Sequence, residues 1–269
     1  MNTIPGRTVM ETELCTYIVR PQPKVSLLYA TPEWVVAKAT KGYTGIYTTE
    51  PISMEEQIKF WQELGDTKLK GPLEMASTFW LIEDVTRAFT HQFARYRIGV
   101  SMVQESQRFS KQVGKLARIM VPDRIVNNSS AMEEYIDSCE TAMRTYYAML
   151  DAEGVETQDA RGLLPTNICT RLYATIAMTG LTHMYEQRHC CQAQDSGAGE
   201  NGEWKQVVQM FKRELTHYGY FHYAKSLKAP WEDPRCTSCG FGASFDRPCS
   251  YAEKFRGNLI RLYDEQIGN

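Results

Sequence analysis

Segments with strand character lie near the start and the middle of the chain, while helical periodicity fills most of its second half. That order predicts an α+β fold, with an antiparallel or mixed central sheet and accompanying helices, rather than a doubly wound sheet. Thr16–Val19 and Val25–Tyr29 are short and rich in β-branched or aromatic residues, and Pro21 to Pro23 between them supplies a turn. The run Thr78 to Ile82 could be a buried strand or a helix. Its length and aromatic content favour extended structure, followed by a helix from Thr86. Ala117–Val121 reads as a further strand.

Helix signals are clearer. Ser53 followed by Glu56 forms a capping box that opens a helix carrying Ile58, Trp61 and Leu64 on one side and stopping near Gly65. Ser130 with Glu133 is expected to cap a long helix whose Tyr135, Ile136, Cys139, Met143, Tyr146 and Leu150 recur at helical spacing, as core residues do. Further helices are expected over 159–163, 170–194 and 204–226. The polar loop Asp195 to Gly202 reads as an insertion between the last two.

At 269 residues, with 43% hydrophobic and 23% charged residues, the chain has material for one globular domain with insertions. A formal net charge of −2 provides no global basic field, so wrapping a nucleic acid polymer is disfavoured and any anion must be met locally. Met1 to Leu14 is polar and lacks an export signal, and no apolar run approaches about 18 residues. The expectation is a cytoplasmic protein, neither secreted nor membrane-spanning, whose eight cysteines are reduced thiols. P-loop and HExxH motifs are absent.

The chemistry-bearing residues crowd the middle. Arg87, His91, Gln92, Arg95 and Arg97 lie on a segment whose apolar partners are Ala88, Phe89, Phe93 and Ala94, a density suggesting an anion site at its end. Through Phe109 the stretch continues with Ser101, Gln104, Glu105, Ser106, Gln107 and Arg108. Arg95, Arg97 and Arg108 offer permanent charge and planar donor forks suited to phosphate or a heteroaromatic edge, and the serines and glutamines offer the neutral donors and acceptors that reading a base requires. Taken alone, the stretch is a polar ligand-binding loop or a solvated helix end with a serine-rich turn.

The same stretch resembles the signature of the flavin-dependent thymidylate synthase family: Arg-His-Arg, two residues, Ser, four residues, Ser, one residue, Arg. Arg95, Arg97, Ser101, Ser106 and Arg108 match in type. Leu73-Glu74 and Thr90-His91-Gln92 resemble the family's approach to this motif. Leu164-Pro165 through Thr170-Arg171, and on to Arg188 and Ala193-Gln194, resembles its second half, so the likeness spans Gly65 to Gln194. The resemblance implies an α+β domain over 1–230, an obligate homo-oligomer assembled as a homotetramer, and FAD at subunit interfaces with each site shared between chains. Residues 231–269 would be a cysteine-containing C-terminal extension packing on that domain.

By residue-to-residue carry-over, Arg95, Tyr96, Arg97, Gln104 and Arg188 would contact FAD. Gln92, Arg95, Gln104, Glu105, Ser106, Gln107, Arg108 and Arg171 would hold the nucleotide, with Arg108, Ser106 and Arg171 closest to the chemistry. The implied reaction is reductive methylation of C5 of dUMP to give dTMP, with methylenetetrahydrofolate as carbon donor and NADPH as reductant. Arginines around the pyrimidine would stabilise negative charge as C5 becomes nucleophilic. Ser106 reads as a hydrogen-bond donor, because no histidine in the motif is placed to activate it as a nucleophile.

Several positions depart from the family pattern. Tyr96 replaces its histidine, three residues rather than two separate Arg97 from Ser101, and Met75 and Asp66 stand where histidines are usual. After Ala193-Gln194 the family continues Trp-Glu-Ile-Arg, whose arginine is implicated in ionising N3 of uracil. Here the polar loop intervenes, and Lys205 is the only basic residue before Met210. Cytosine N3 carries no proton, so dCMP is an alternative substrate on the same scaffold, formation of a hydroxymethyl pyrimidine nucleotide a weaker one, and a non-catalytic nucleotide-binding homologue a reading of another class. Finally, Cys236, Cys239 and Cys249, with Cys190 or Cys191, could assemble a zinc site, although a single CxxC pair with distant partners is a weak signal and favours reduced structural cysteines.

Overall fold

A computed structural model describes residues 3–4, 7–20, 22–66, 71–109, 117–190 and 202–229. The strands are β1 (Thr3–Ile4), β2 (Arg7–Glu11), β3 (Cys15–Val19), β4 (Lys24–Ala30), β5 (Ser77–Thr86), β6 (Val100–Gln104), β7 (Ala117–Val121) and β8 (Cys169–Ala177). The helices are α1 (Glu33–Thr40), α2 (Met54–Asp66), α3 (Gly71–Glu74), α4 (Arg87–Phe93), α5 (Asp123–Val126), α6 (Ser129–Asp151), α7 (Thr157–Ala160), α8 (Met178–His189), α9 (Glu203–His217) and α10 (Phe221–Ser226). The strands form two four-stranded sheets, a mixed one in the order β1-β2-β3-β7 and an antiparallel one in the order β4-β5-β8-β6. The parallel pairing of β3 with β7 sets Cys15 opposite Ala117, and a bridge between Ile119 and Ile168 links the two halves. The expected α+β architecture is the one observed.

Element by element, the largest correction concerns residues 170–194. The expected helix is a strand to Ala177 and a helix only from Met178. Thr170, Leu172, Ala174 and Ile176 are buried while Arg171, Tyr173 and Thr175 are exposed, the period-two pattern of a half-covered sheet. Val100–Gln104, read from sequence as part of a loop, is the edge strand β6, running from Val100 opposite Ile176 to Gln104 opposite Leu172. Ser53 and Glu56 do form the reciprocal capping box, at 3.0 and 3.2 Å. The long helix starts earlier than expected, because the Asn128 side chain accepts from the Ala131 N–H at 3.1 Å and takes the cap from Ser130. The expected helix over 204–226 breaks at Tyr218-Gly219, where Gly219 adopts φ +81°, and resumes as α10.

Two cores result. One lies beneath the antiparallel sheet, where Trp80, Phe89, Phe93, Trp204 and Phe211 pack with α4, α8 and α9, and the other lies between the mixed sheet and α6 around Tyr17, Ile119, Met143 and Tyr146. Among the described residues the outer face of the antiparallel sheet has no such cover, and Tyr29, Phe79, Tyr173 and Val103 are exposed there. Among the described residues no helix is long and apolar enough to cross a membrane, and no group of three or more metal-ligating side chains is assembled. Cys15, Cys139, Cys169 and Cys190 are free thiols. Cys191, Cys236, Cys239, Cys249, the loop up to Asn201 and the 231–269 extension lie outside the described residues, as does the side chain of Asp66.

Candidate functional site

The site is built on α4, which begins where β5 ends. Thr86 caps this helix, its hydroxyl oxygen accepting from the Phe89 N–H at 3.0 Å. The Thr86 N–H and hydroxyl in turn donate to the two carboxylate oxygens of Glu203, at 2.6 and 2.8 Å, and Glu203 is completely buried. The first residue of α9 therefore anchors the start of α4. Phe89 and Phe93 face the core, which leaves Gln92 and the residues after the helix along the site.

Arg188, in the last turn of α8, meets that edge. Its Nε donates to the Tyr96 hydroxyl and one terminal nitrogen donates to Gln92 Oε1, both at 2.8 Å. The guanidinium lies 4.0 Å from the centre of the Trp204 ring and 5.4 Å from that of Tyr96. Burial pushes the Tyr96 phenol up, with the Arg188 charge opposing, so Tyr96 keeps its proton and can donate onward. Gln92, Tyr96 and Arg188, distant in sequence, thus form one hydrogen-bonded group.

A second group follows β6. Gln104 donates to the Thr90 hydroxyl at 2.8 Å. The Glu105 carboxylate faces Arg171 Nε at 3.4 Å, and Arg87 donates to the Glu105 carbonyl at 2.8 Å. Burial pulls the Arg87 guanidinium down, opposed by Glu105 and assisted by Arg161. The chain then turns: the Arg108 N–H donates to Ser106 Oγ at 3.3 Å and the Phe109 N–H to the Ser106 carbonyl at 3.2 Å, with Gln107 half-buried in the turn. Arg108 and Phe109 are exposed beside a cavity of about 380 Å³ that is also lined by Leu150, Val155 and Thr157.

Arg95 and Arg97 are not drawn into either group and stay exposed. The additional residue between Arg97 and Ser101 is absorbed at Ile98-Gly99, where Gly99 takes φ +66°. Sequence reasoning did not assign Thr90, Glu203 or Trp204 to the site. For Trp204 a signal existed: the family pattern places a tryptophan after Ala-Gln, and here one follows the polar loop.

A family profile described as thymidylate synthase complementing protein matches residues 26–196, which includes both groups. The chain belongs to this family, the flavin-dependent thymidylate synthases. The flavin-dependent thymidylate synthase of Nitratidesulfovibrio vulgaris is 30% identical over 193 residues, covering 65% of this chain and 78% of the relative. Among solved structures, the UMP/dUMP methylase PolB from Streptomyces cacaoi bound with 5-Br dUMP superposes with a TM-score of 0.62 at 20% identity, over 77% of this chain and 95% of that one. Thymidylate synthase X from Helicobacter pylori with FAD and dUMP gives 0.59 at 14% identity, over 77% and 100%. At these identities the two structures establish the flavin-dependent thymidylate synthase fold of the described domain.

Proposed function

We propose that the protein is a cytoplasmic FAD-dependent enzyme that methylates C5 of dUMP to give dTMP, with methylenetetrahydrofolate as carbon donor and NADPH as reductant. The observation that carries this reading is the hydrogen-bonded group of Gln92, Tyr96 and Arg188, set beside the strand that leads to Glu105 and Arg171. The donors present fit a flavin dinucleotide: Arg95, Arg97 and Arg188 supply permanent cations for a pyrophosphate, and Tyr96 a ring and a protonated hydroxyl. With Gln104 these residues would hold FAD, which when bound and reduced supplies the hydride that completes the methyl group.

The chain's own residues bind and orient. Glu105 holds the Arg171 guanidinium toward the nucleotide, and Gln92, Ser106, Gln107 and Arg108 add the donors that read a base and a phosphate. Arginines already in place when charge develops on the pyrimidine lower the barrier without reorganising. The exposure of Arg95, Arg97 and Arg108, and the sheet face that the described residues leave exposed, with Phe79 stacked on Tyr173 at 5.8 Å, support a homotetramer in which a second copy completes each site. The names of the relatives and the ligands of the two solved structures point the same way.

The departure after Gln194, where Lys205 is the only basic residue before Met210, favours dCMP as the second reading. A turnover assay with FAD, NADPH and methylenetetrahydrofolate, offering dUMP and dCMP separately and identifying products by mass, tests both. Methylation of dUMP supports the proposal, methylation of dCMP alone moves the base choice, and no flavin binding with no turnover overturns it.

A further inference from the structure

We infer that Trp204 is a positioning residue of the cofactor pocket, acting by holding the Arg188 guanidinium over its ring; this rests on the reading that Arg188 serves FAD. Two of its hydrogen bonds, to Tyr96 and to Gln92, fix how the guanidinium is turned within its plane. They do not by themselves fix the plane, because a phenol oxygen and an amide oxygen each accept over a broad range of directions. The Trp204 ring, 4.0 Å from the guanidinium carbon, supplies that third constraint, and tryptophan is the aromatic face that attracts a cation most strongly.

The ring is itself immobilised. Trp204 is fully buried, with Phe89 at 4.1 Å, Tyr96 at 5.8 Å and Phe93 at 6.0 Å between ring centres. One residue earlier, Glu203 is locked to the cap of α4 by both its oxygens. The start of α9 thus ties together the helix that carries Gln92, the residue Tyr96 that follows it, and the arginine that joins them.

The test is FAD affinity, read by quenching of flavin fluorescence, together with thermal melting. Trp204→Leu should weaken FAD binding about tenfold, and Trp204→Phe, which keeps an aromatic face, should recover most of the loss. Phe211→Leu is the control for core damage, since Phe211 packs on Trp80 at 4.6 Å, and should lower the melting temperature with little change in affinity. Arg188→Met removes the cation while keeping an unbranched side chain, and Trp204→Leu on that background should then cost no further affinity. Equal losses in Trp204→Leu and Phe211→Leu overturn the proposal, as does full additivity of Arg188→Met with Trp204→Leu; Trp204→Met takes the place of the leucine variant in both comparisons if that variant does not fold. If the unaltered protein binds no FAD, the cofactor reading fails first and the proposal with it, a result visible before any substitution is made.

Discussion

Glu105 and Arg171 are joined twice: the Glu105 N–H donates to the Arg171 carbonyl at 3.0 Å, and its carboxylate faces Arg171 Nε at 3.4 Å. The first bond extends the pairing of β6 with β8, so the ion pair sits on a fixed backbone. Because the Arg171 side chain is 59% exposed, the pair contributes at most about 1 kcal/mol to stability. Arg171→Ala should therefore barely move the urea midpoint while raising the nucleotide KM by at least about tenfold, the cost of a lost charge-assisted contact to an anion. A large loss of stability with an unchanged KM would show Arg171 to be structural.

Arg108 sits on a turn held by Ser106 and is exposed next to the cavity it shares with Val155 and Thr157. Removing its side chain leaves the turn's backbone bonds intact. Arg108→Ala should weaken nucleotide binding by about tenfold or more and leave FAD binding within about twofold. Titrating each ligand separately checks this, and equal losses of both would contradict the division of roles between the two groups.

What could be read from the sequence depended on how many neighbours shared the work of an element. β7 was legible in full and β3, β4 and β5 nearly so, because apolar and β-branched residues dominate each segment. β8 was not, since its alternation runs straight into α8 and the two together imitate one long apolar helix. β6 was hidden because it is an edge strand whose inward residues Val100, Met102 and Gln104 are only half-buried. The resemblance carried Gln92, Tyr96 and Arg188 as separate ligand contacts. That they bond one another emerges only when the last turn of α8 meets the end of α4, and Trp204 joins them from beyond a loop that displaces it from the family spacing.

Gly99 is constrained on two counts. Its φ of +66° lies in the left-handed region, and a Cβ there would stand 2.9 Å from the Ala177 Cβ. Alanine at this position must both strain the backbone and push β6 away from the start of α8. Gly99→Ala should cost about 2 kcal/mol or more in urea unfolding, and weaken FAD binding through displacement of Arg97. Full stability in the variant would mean that the Ile98-Gly99 turn can relax.

The pH dependence of stability should carry a signature of Glu33. This residue opens α1 and accepts from the Tyr223 N–H at 2.9 Å, tying α1 to α10. Burial pushes its carboxyl above the usual glutamate range, against the lowering effect of the main-chain N–H groups of Tyr223 and His222. As pH rises through that range the unfolded chain releases its proton first and the folded one retains it. The folded state then binds more protons, and stability falls with rising pH until the raised folded value is passed. Glu33→Gln keeps an oxygen for the Tyr223 N–H but cannot ionise. It should be more stable than the parent at neutral pH and lose less stability as pH rises above the ordinary glutamate range, which urea unfolding at a series of pH values measures directly. If the two proteins lose stability in parallel, the Glu33 carboxyl is reaching solvent and its burial does not govern its ionisation.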